Sequence, residues 1–439
     1  MLDLLAAVVV LIILSGVVLI TKLCAGKLTP EASRKIIHIT MGCVALTFPF
    51  VFAARQSVLY LGIIAILSLL LLRWNKNLRE GIGSGLLGIQ RKSFGEIYFV
   101  LSIVIVYLLH EAPFEYLISI AVLTFADSIA ALIGTSYGRY NLALQHEDAK
   151  SSEGSVMFFI VAFICALVPL QLMTEVGRAE VLVISFLIGA LAAMIEAVST
   201  SGNDNLLLPL LTYSFLRFNT DQSLELLLIK FGVMLIFLVL AVVVYKMTNI
   251  SKLAVAYSLL AVYVFMVQGG LMWVMPPLLL FLTFGILPMM KAEEKQMVQT
   301  YKVIECNGII GILCLVLATF FPSYREILYL AFSLSFASHL AINTYSRFIN
   351  FVGSSKEMAI SCGLIKGLLF IALPTLVFTE TNRWELLLYL LCLAASIPPA
   401  IYLNQKYDYK KVGNVTFRAN KILVGTVVAV FVIVGGLIL

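Results

Sequence analysis

The chain has 439 residues, of which 61% are hydrophobic and 12% are charged, with a formal net charge of +6. Average globular chains carry about twice that share of charge, so the composition excludes a water-soluble domain. Backbone inside a bilayer must form its hydrogen bonds internally. We therefore predict an all-α fold, a polytopic transmembrane helical bundle embedded in the lipid bilayer. The basic residues are dispersed without interleaved aromatic residues, and we expect no nucleic-acid partner.

The apolar runs predict about 14–16 spans, since each crossing needs about 20 apolar residues. The run 206–218 is short and could be a re-entrant segment. Lysine and arginine concentrate in alternate short loops, which the positive-inside rule assigns to the cytoplasm. If 206–218 crosses, both termini lie outside and the polar segments described below lie on the cytoplasmic side. The compact loops favour a bacterial inner membrane.

Polar motifs divide the chain unevenly, because residues 1–245 hold almost all of them and residues 253–439 form longer, blander spans. We expect two membrane domains with these bounds. Polar groups at membrane depth cost roughly 2.5–3.5 kcal/mol each, so they tend to mark a substrate or ion site. The first polar segment runs from Glu31 to His38. A helix beginning at Pro30 places Glu31, Arg34, Lys35 and His38 on one face. This face is typical either of phosphate recognition or of a surface salt-bridge set.

The second polar segment runs from Asp127 to Arg139. Helical spacing places Asp127, Gly134 and Gly138 on one face. Small residues let helices approach closely, which is sufficient to explain the glycines. A carboxylate several turns inside a span needs a partner, and a divalent cation or a substrate hydroxyl would serve. Arg139 then places a cation at the cytoplasmic mouth.

The third polar segment is Lys150 to Ser155. Ser151 or Ser152 can cap a helix that starts near Gly154, with Glu153 in its first turn. The free backbone N–H groups at the start of this helix and the serine hydroxyls, next to Lys150, could equally form a phosphate-binding site. The sequence leaves both interpretations open.

The fourth polar segment runs from Glu196 to Pro209 and contains Asn203, Asp204 and Asn205 after a glycine. Such a run is by itself a good turn. Its side-chain oxygens are also the hard ligands that Mg²⁺ prefers while it shares substrate phosphates. Glu196 nearby, and the span broken by Pro209, favour a metal–phosphate site.

Taken together and in this order, the four motifs resemble the superfamily of phytol kinases, dolichol kinases and CTP-dependent diacylglycerol kinases. The motifs are ExxRKxxH, DxxAxxxGxxxGR, KSSEGS and ExxSxxGNDNxxxP, within about residues 25–215. The resemblance implies phosphorylation of a long-chain isoprenoid or lipid alcohol on the cytoplasmic leaflet, with CTP and a divalent cation. Arg139 departs from the lysine of many relatives, which changes the geometry of any phosphate contact.

On this resemblance we expect a kinase that transfers the γ-phosphoryl group of a nucleoside triphosphate, with Mg²⁺ held by Asp127 and Asp204. Glu153 or Glu196 would accept the alcohol proton, with His38 a further candidate, and the sequence does not rank them. The residues predicted to bind nucleotide and metal are Arg34, Lys35, His38, Gly134, Gly138, Arg139, Lys150, Ser152, Gly154, Asn203 and Asn205.

The second half faintly resembles a membrane family that includes phytyl-phosphate kinases, through Glu305–Gly308 and Ile342–Arg347. That family has acidic residues where Asn343 stands and near Arg347. We therefore expect the second half to be non-catalytic.

Two other functions stay open. A CTP-dependent cytidylyltransferase making a CDP-lipid would need the same metal and nucleotide but would release pyrophosphate. A secondary transporter would also place charges in broken spans, although such transporters usually show an internal repeat, which we do not find here. The identity of the alcohol and the oligomeric state do not follow from the sequence, and the choice of CTP rests on the resemblance.

Overall fold

The computed structural model describes residues 2–23, 30–75, 94–140, 150–199, 202–247, 252–285, 301–376, 383–406 and 415–438. These ranges contain helices and no strand, which confirms the all-α prediction. The longer helices of the first half are α1 (Leu2–Leu23), α2 (Pro30–Leu46), α3 (Arg55–Trp74), α4 (Gly95–Leu109), α5 (Pro113–Ala121), α6 (Asp127–Tyr137), α7 (Ser152–Met173), α8 (Arg178–Val198), α9 (Asp204–Asn219) and α10 (Leu224–Met247). A short turn of helix, Phe48–Val51, follows α2, and a π-helix, Val122–Ala126, joins α5 to α6.

In the second half, the helices are α11 (Lys252–Val264), α12 (Leu271–Gly285), α13 (Tyr301–Phe320), α14 (Arg325–Arg347), α15 (Lys356–Gly367), α16 (Leu373–Leu376), α17 (Arg383–Ala395), α18 (Ile397–Lys406) and α19 (Val415–Ile438). Further π-helices are Phe265–Gly269, Phe348–Val352 and Leu368–Ala372, and a 3₁₀ turn spans Pro322–Tyr324.

Within the described ranges, 8 helices are long and apolar enough to cross a membrane. They confirm a multi-pass membrane protein, whereas the total of 14–16 spans stays a prediction. Six shorter apolar helices accompany them, at Gly95–Leu109, Leu253–Gly269, Leu271–Leu280, Gly308–Phe320, Tyr389–Pro399 and Leu423–Gly436. The helix α9, which contains the short apolar run 206–218, is not among the eight.

The chain divides into two compact units, residues 1–231 and 232–439, and the division falls inside α10. The core of the first unit is the continuous helical segment from α5 through the π-helix. Ile118, Ile120, Val122, Leu123 and Ala126 are all fully buried along it. This segment is the structural axis that carries Asp127, because α6 continues directly from the π-helix.

The core of the second unit is α14, whose residues from Leu328 to Ser346 are buried. Gly363 and Gly367 of α15 lie against its backbone, where an added Cβ would be 2.8 Å from the Ala341 oxygen and 2.9 Å from the Ala337 oxygen. Asn343, at the position expected to have lost an acidic residue, is buried in this helix. The side chains of residues 305–307 lie outside the described part of the chain.

Candidate functional site

The first element of the site is the face of α2 that packs against the π-helix. His38 Nε2 lies 3.2 Å from the Leu123 carbonyl oxygen. A carbonyl only accepts, so the proton of this hydrogen bond is on Nε2. One turn further along α2, Gly42 faces Thr124, whose side chain occupies the space that a Cβ on Gly42 would need. The two α2 residues therefore hold the wide turn that precedes Asp127.

A π-helix inserts one extra residue into a helix, so it rotates all later side chains by about 100°. Here the rotation falls between the buried α5 and Asp127, the first residue of α6. Asp127 then meets α2: its Oδ2 accepts a hydrogen bond from Lys35 Nζ at 2.6 Å and lies 3.8 Å from His38 Nε2. Arg34 also acts electrostatically on Asp127. Three of the four predicted residues of the first segment therefore converge on the second. The side chain of Glu31 lies outside the described residues.

The second carboxyl group is Asp204, which begins α9. Asn205 beside it is buried and donates from its side-chain amide to the Gly95 carbonyl oxygen at 2.9 Å, which fixes the start of α9 to the start of α4. Burial first, and then the charge of Asp127, raise the pKa of Asp204 above its ordinary value. Lys35 and Lys150 act on the same carboxyl group with the opposite sign. Asp127 and Asp204 are thus near enough to repel each other.

The third carboxyl group is Glu196, near the end of α8. Its Oε1 lies 2.9 Å from Lys150 Nζ, which also donates to the Glu196 backbone carbonyl. Its Oε2 is buried and has no hydrogen-bond partner within the part of the chain that the structure describes. Asp204 and Asp127 both act electrostatically on Glu196. We call Lys35, His38, Asp127, Lys150, Glu196 and Asp204 the polar cluster.

The predicted glycines lie where α6 packs against the start of α7. A Cβ on Gly134 would be 3.0 Å from Ser151 Oγ and 3.6 Å from the Gly154 Cα. One on Gly138 would be 2.7 Å from Ser151 Cβ. Close helix packing therefore accounts for all three glycines, as the small-residue spacing allows. Their role in binding nucleotide stays a prediction.

Helix α7 begins as its sequence indicates, because Ser151 Oγ accepts a hydrogen bond from Gly154 N at 3.1 Å and caps it. Glu153 in the first turn accepts at Oε1 from the backbone N–H of Arg139 at 3.0 Å. Its Oε2 accepts from Tyr140 N at 3.4 Å and from Ser152 Oγ at 3.1 Å. Glu153 and Ser152 therefore connect the residues that follow α6 to the start of α7. The Arg139 side chain is exposed.

A divalent cation fits the chemistry of the polar cluster only in part. No three acidic, histidine or cysteine side chains among the described residues lie close enough to hold a metal ion by themselves. Mg²⁺ is nevertheless commonly bound by one or two carboxylates together with substrate phosphates and waters. Asp127, Asp204 and Glu196 Oε2, which has no hydrogen-bond partner among the described residues, offer such hard oxygen ligands. Asn203 lies directly before Asp204.

Sequence reasoning missed three contributors to this geometry. Gly42 and Thr124 form the contact that seats the π-helix, and the carbonyl of Gly95 anchors Asn205. Gly42 lies four residues after His38, so the same helical face that grouped Arg34, Lys35 and His38 continues to it. The contact of Gly95 with Asn205 joins positions far apart in sequence, and no local pattern announces it.

Comparison with known proteins found one relative of this chain. A phytol kinase of Synechocystis sp. (strain ATCC 27184 / PCC 6803 / Kazusa) is 30% identical over 188 residues, which is 41% of this chain and 76% of the relative. The chain belongs to the phytol kinase family. No protein-family model and no solved structure matches it. Membership of the phytol kinase family and the long apolar helices together fit a membrane enzyme of the lipid kinase type.

Proposed function

We propose that this protein transfers the γ-phosphoryl group of a nucleoside triphosphate, with CTP as donor, to the hydroxyl group of a long-chain isoprenoid alcohol at the cytoplasmic face of the membrane. The observation that carries the proposal is the convergence of three carboxyl groups and two lysines from four separate segments. Phosphoryl transfer asks the protein mainly for positioning and charge neutralisation. The polar cluster holds charges of both signs for that purpose.

In this proposal Asp127 and Asp204 hold the divalent cation that accompanies the nucleotide. When bound, that cation neutralises charge on the phosphate oxygens. Lys35 and Lys150 contact the phosphates, and Arg34, which acts electrostatically on Asp127, adds a third positive charge. The apolar spans keep the isoprenoid tail in lipid while its hydroxyl group reaches the cluster.

Among the candidate bases, the geometry favours Glu196 over Glu153. Both carboxylate oxygens of Glu153 accept hydrogen bonds from the backbone after α6. Glu196 keeps one buried oxygen without a hydrogen-bond partner among the described residues, and that atom can accept the alcohol proton. His38 has its Nε2 proton committed to the Leu123 carbonyl, which makes that nitrogen unsuitable as the base.

The test is label transfer in membranes that contain the full chain. CTP and ATP labelled at either the α or the γ phosphate are incubated with phytol, a polyprenol, diacylglycerol or a lipid phosphate, and the lipid extract is counted. The proposal expects γ label on an isoprenoid alcohol with CTP. Label from the α position would instead identify a cytidylyltransferase. Nucleotide-independent uptake into proteoliposomes, with no lipid labelling, would identify a transporter.

Asp204→Asn is the test variant that should lose γ-label transfer, because it removes one charge of the polar cluster with little change in shape. Asp221→Asn makes the same chemical change at an exposed position after α9 and serves as the control. The first variant should lose transfer while the second keeps it. Equal activity in both would remove Asp204 from the site.

A further inference from the structure

Both lysines of the polar cluster are paired with the carboxyl groups proposed to bind the cation and the alcohol. Lys35 Nζ lies 2.6 Å from Asp127 Oδ2, and Lys150 Nζ lies 2.9 Å from Glu196 Oε1. The four side chains of these two pairs are only 14% to 21% exposed, so water screens the pairs weakly. Each group that would recognise a phosphate is therefore held by a carboxyl group that the proposed reaction needs, Asp127 for the cation and Glu196 for the alcohol proton. Lys150 also acts electrostatically on Asp204, the second proposed ligand of the cation.

This arrangement opposes the binding of either ligand alone. A divalent cation that approaches Asp127 meets the Lys35 ammonium group on the same oxygen. A free triphosphate that approaches Lys35 and Lys150 meets the carboxyl groups of Asp127, Glu196 and Asp204. A metal–triphosphate complex meets neither obstacle, because its cation takes the carboxylates of Asp127 and Asp204 while its phosphates take the lysines.

We infer that Lys35 and Lys150 are internal counter-ions that restrict the site to the metal–triphosphate complex, so that metal and nucleotide bind it jointly and poorly when alone. The inference rests on the proposed function, since it assumes a triphosphate at the polar cluster. It assigns each lysine two alternating partners, a carboxylate before binding and a phosphate oxygen after. The lysines therefore oppose metal binding in the free protein and support nucleotide binding in the complex.

The experiment measures Mn²⁺ binding by electron paramagnetic resonance on the purified full chain in detergent, without nucleotide. Lys35→Met and Lys150→Met should each tighten Mn²⁺ binding by about tenfold, which lies within the usual range of coupling between two bound ligands. The same variants should bind CTP more weakly in the presence of excess chelator. A lysine that only contacts phosphate would leave Mn²⁺ affinity unchanged and so overturn the inference.

Lys230→Met is the matched control, because Lys230 lies in the same unit but its Nζ donates to the Asn219 side-chain oxygen at 2.6 Å. It should leave Mn²⁺ affinity unchanged. Lys35→Arg keeps the charge and should bind Mn²⁺ as weakly as the wild type. Adding Asp127→Asn to Lys35→Met should abolish the gain, and a gain that persists would contradict the inference.

A measurement on the wild type keeps the inference testable if the methionine variants do not fold. A non-hydrolysable CTP analogue should tighten Mn²⁺ binding by about tenfold or more, and no tightening would overturn joint binding. Label transfer separates this outcome from the proposed function. Active wild type without coupling would reject the inference alone, whereas coupling without transfer to any alcohol would reject the kinase alone.

Discussion

Two ionic clusters lie at opposite ends of the same pair of helical segments, and they are built differently. The segment from α5 to α6 carries Glu115 at one end and Asp127 twelve residues later, about 18 Å away at 1.5 Å per residue. The antiparallel helix α9 carries Asp204 at its start and Arg217 near its end. Asp127 and Asp204 belong to the polar cluster, whereas Glu115 and Arg217 meet at the other end.

The far cluster, formed by Glu111, Glu115 and Arg217, is saturated with hydrogen bonds. The Arg217 guanidinium donates to both carboxylate oxygens of Glu111, at 2.8 Å each, and its Nη1 lies 3.3 Å from Glu115 Oε1. Glu115 Oε2 accepts from the backbone N–H groups of Glu111 at 2.8 Å and Ala112 at 3.3 Å. This bidentate arrangement is typical of a structural clamp.

The polar cluster instead pairs two of its three carboxyl groups, Asp127 and Glu196, with lysine ammonium groups. It leaves Glu196 Oε2 buried without a hydrogen-bond partner among the described residues. A buried polar atom in this state costs stability unless a ligand, an ion or water satisfies it. The two ionic clusters are therefore not equivalent. In the proposed function, the saturated end holds the helices together and the incompletely paired end binds the ligands. Five substitutions, each with a comparison or control, test this division.

Asp127→Asn should have the largest effect on activity. It removes a charge that both Lys35 and the proposed cation need, so γ-label transfer should fall by about 10²- to 10³-fold. Label counted in the lipid extract measures the loss. Asp221→Asn is the control, and near-normal transfer by Asp127→Asn would show that the polar cluster is as structural as the Arg217 end.

Glu196→Gln and Glu153→Gln separate the two candidate bases. Loss of a general base typically lowers the rate by about 10²- to 10⁴-fold. Glu196→Gln should therefore lower kcat by at least about 10²-fold, with little change in KM for CTP. Glu153→Gln keeps one oxygen to accept the backbone N–H groups and should retain most activity. The reverse order in a steady-state assay would make Glu153 the base.

Gly42→Ala should disturb the placement of Asp127 from outside the polar cluster. The added Cβ would overlap the Thr124 side chain in the π-helix. Overpacking of this kind costs about 1–3 kcal/mol. We therefore expect γ-label transfer to fall by about tenfold, which corresponds to the lower part of that range. Thr124→Ala in the same chain should restore part of the activity.

Gly16→Ala is the matched control for this change, because no described atom outside its own helix backbone lies within 4 Å of a Cβ at that position. Equal effects of the two alanine substitutions would mean that the contact with Thr124 does not position Asp127.

Arg217→Met should have the smallest effect on activity and a clear effect on stability. It leaves the carboxylate of Glu115, whose side chain is 4% exposed, without its cation, and hydrogen bonds to charged groups contribute about 1.5–3 kcal/mol. We expect a lower thermal midpoint with transfer kept within a few-fold of the wild type. Arg178→Met, at an exposed position, should change neither. Loss of transfer with unchanged stability would reverse the assignment of the two ends.

Much of the site's local structure could be predicted from the sequence. The helix that begins at Pro30 and the serine cap at the start of α7 follow from rules that act within one turn. The spacing of Gly134 and Gly138 correctly indicated a face for close helix packing. The capping interpretation of Lys150 to Ser155 also accounts for Ser151, whereas Lys150 turns away to Glu196 on another helix.

Other features were beyond any local pattern. The apolar run that contains Asp127 predicts one continuous span, and nothing in it signals the extra residue of the π-helix. That turn is held by His38 and Gly42, which lie about 80 residues earlier in the chain. The sequence likewise grouped Lys35 with Arg34 as a phosphate-binding pair without showing that its nearest partner is Asp127.

By itself, the sequence determined that this chain is a helical membrane protein and which few polar residues its spans can contain, because burying charge in lipid is costly enough to make each one conspicuous. Tertiary structure alone decided which lysine faces which carboxylate and which carboxylate oxygen is left over. Those choices depend on the rotation and approach of whole helices, and ionic contacts change within a few ångströms, far below what residue spacing can specify.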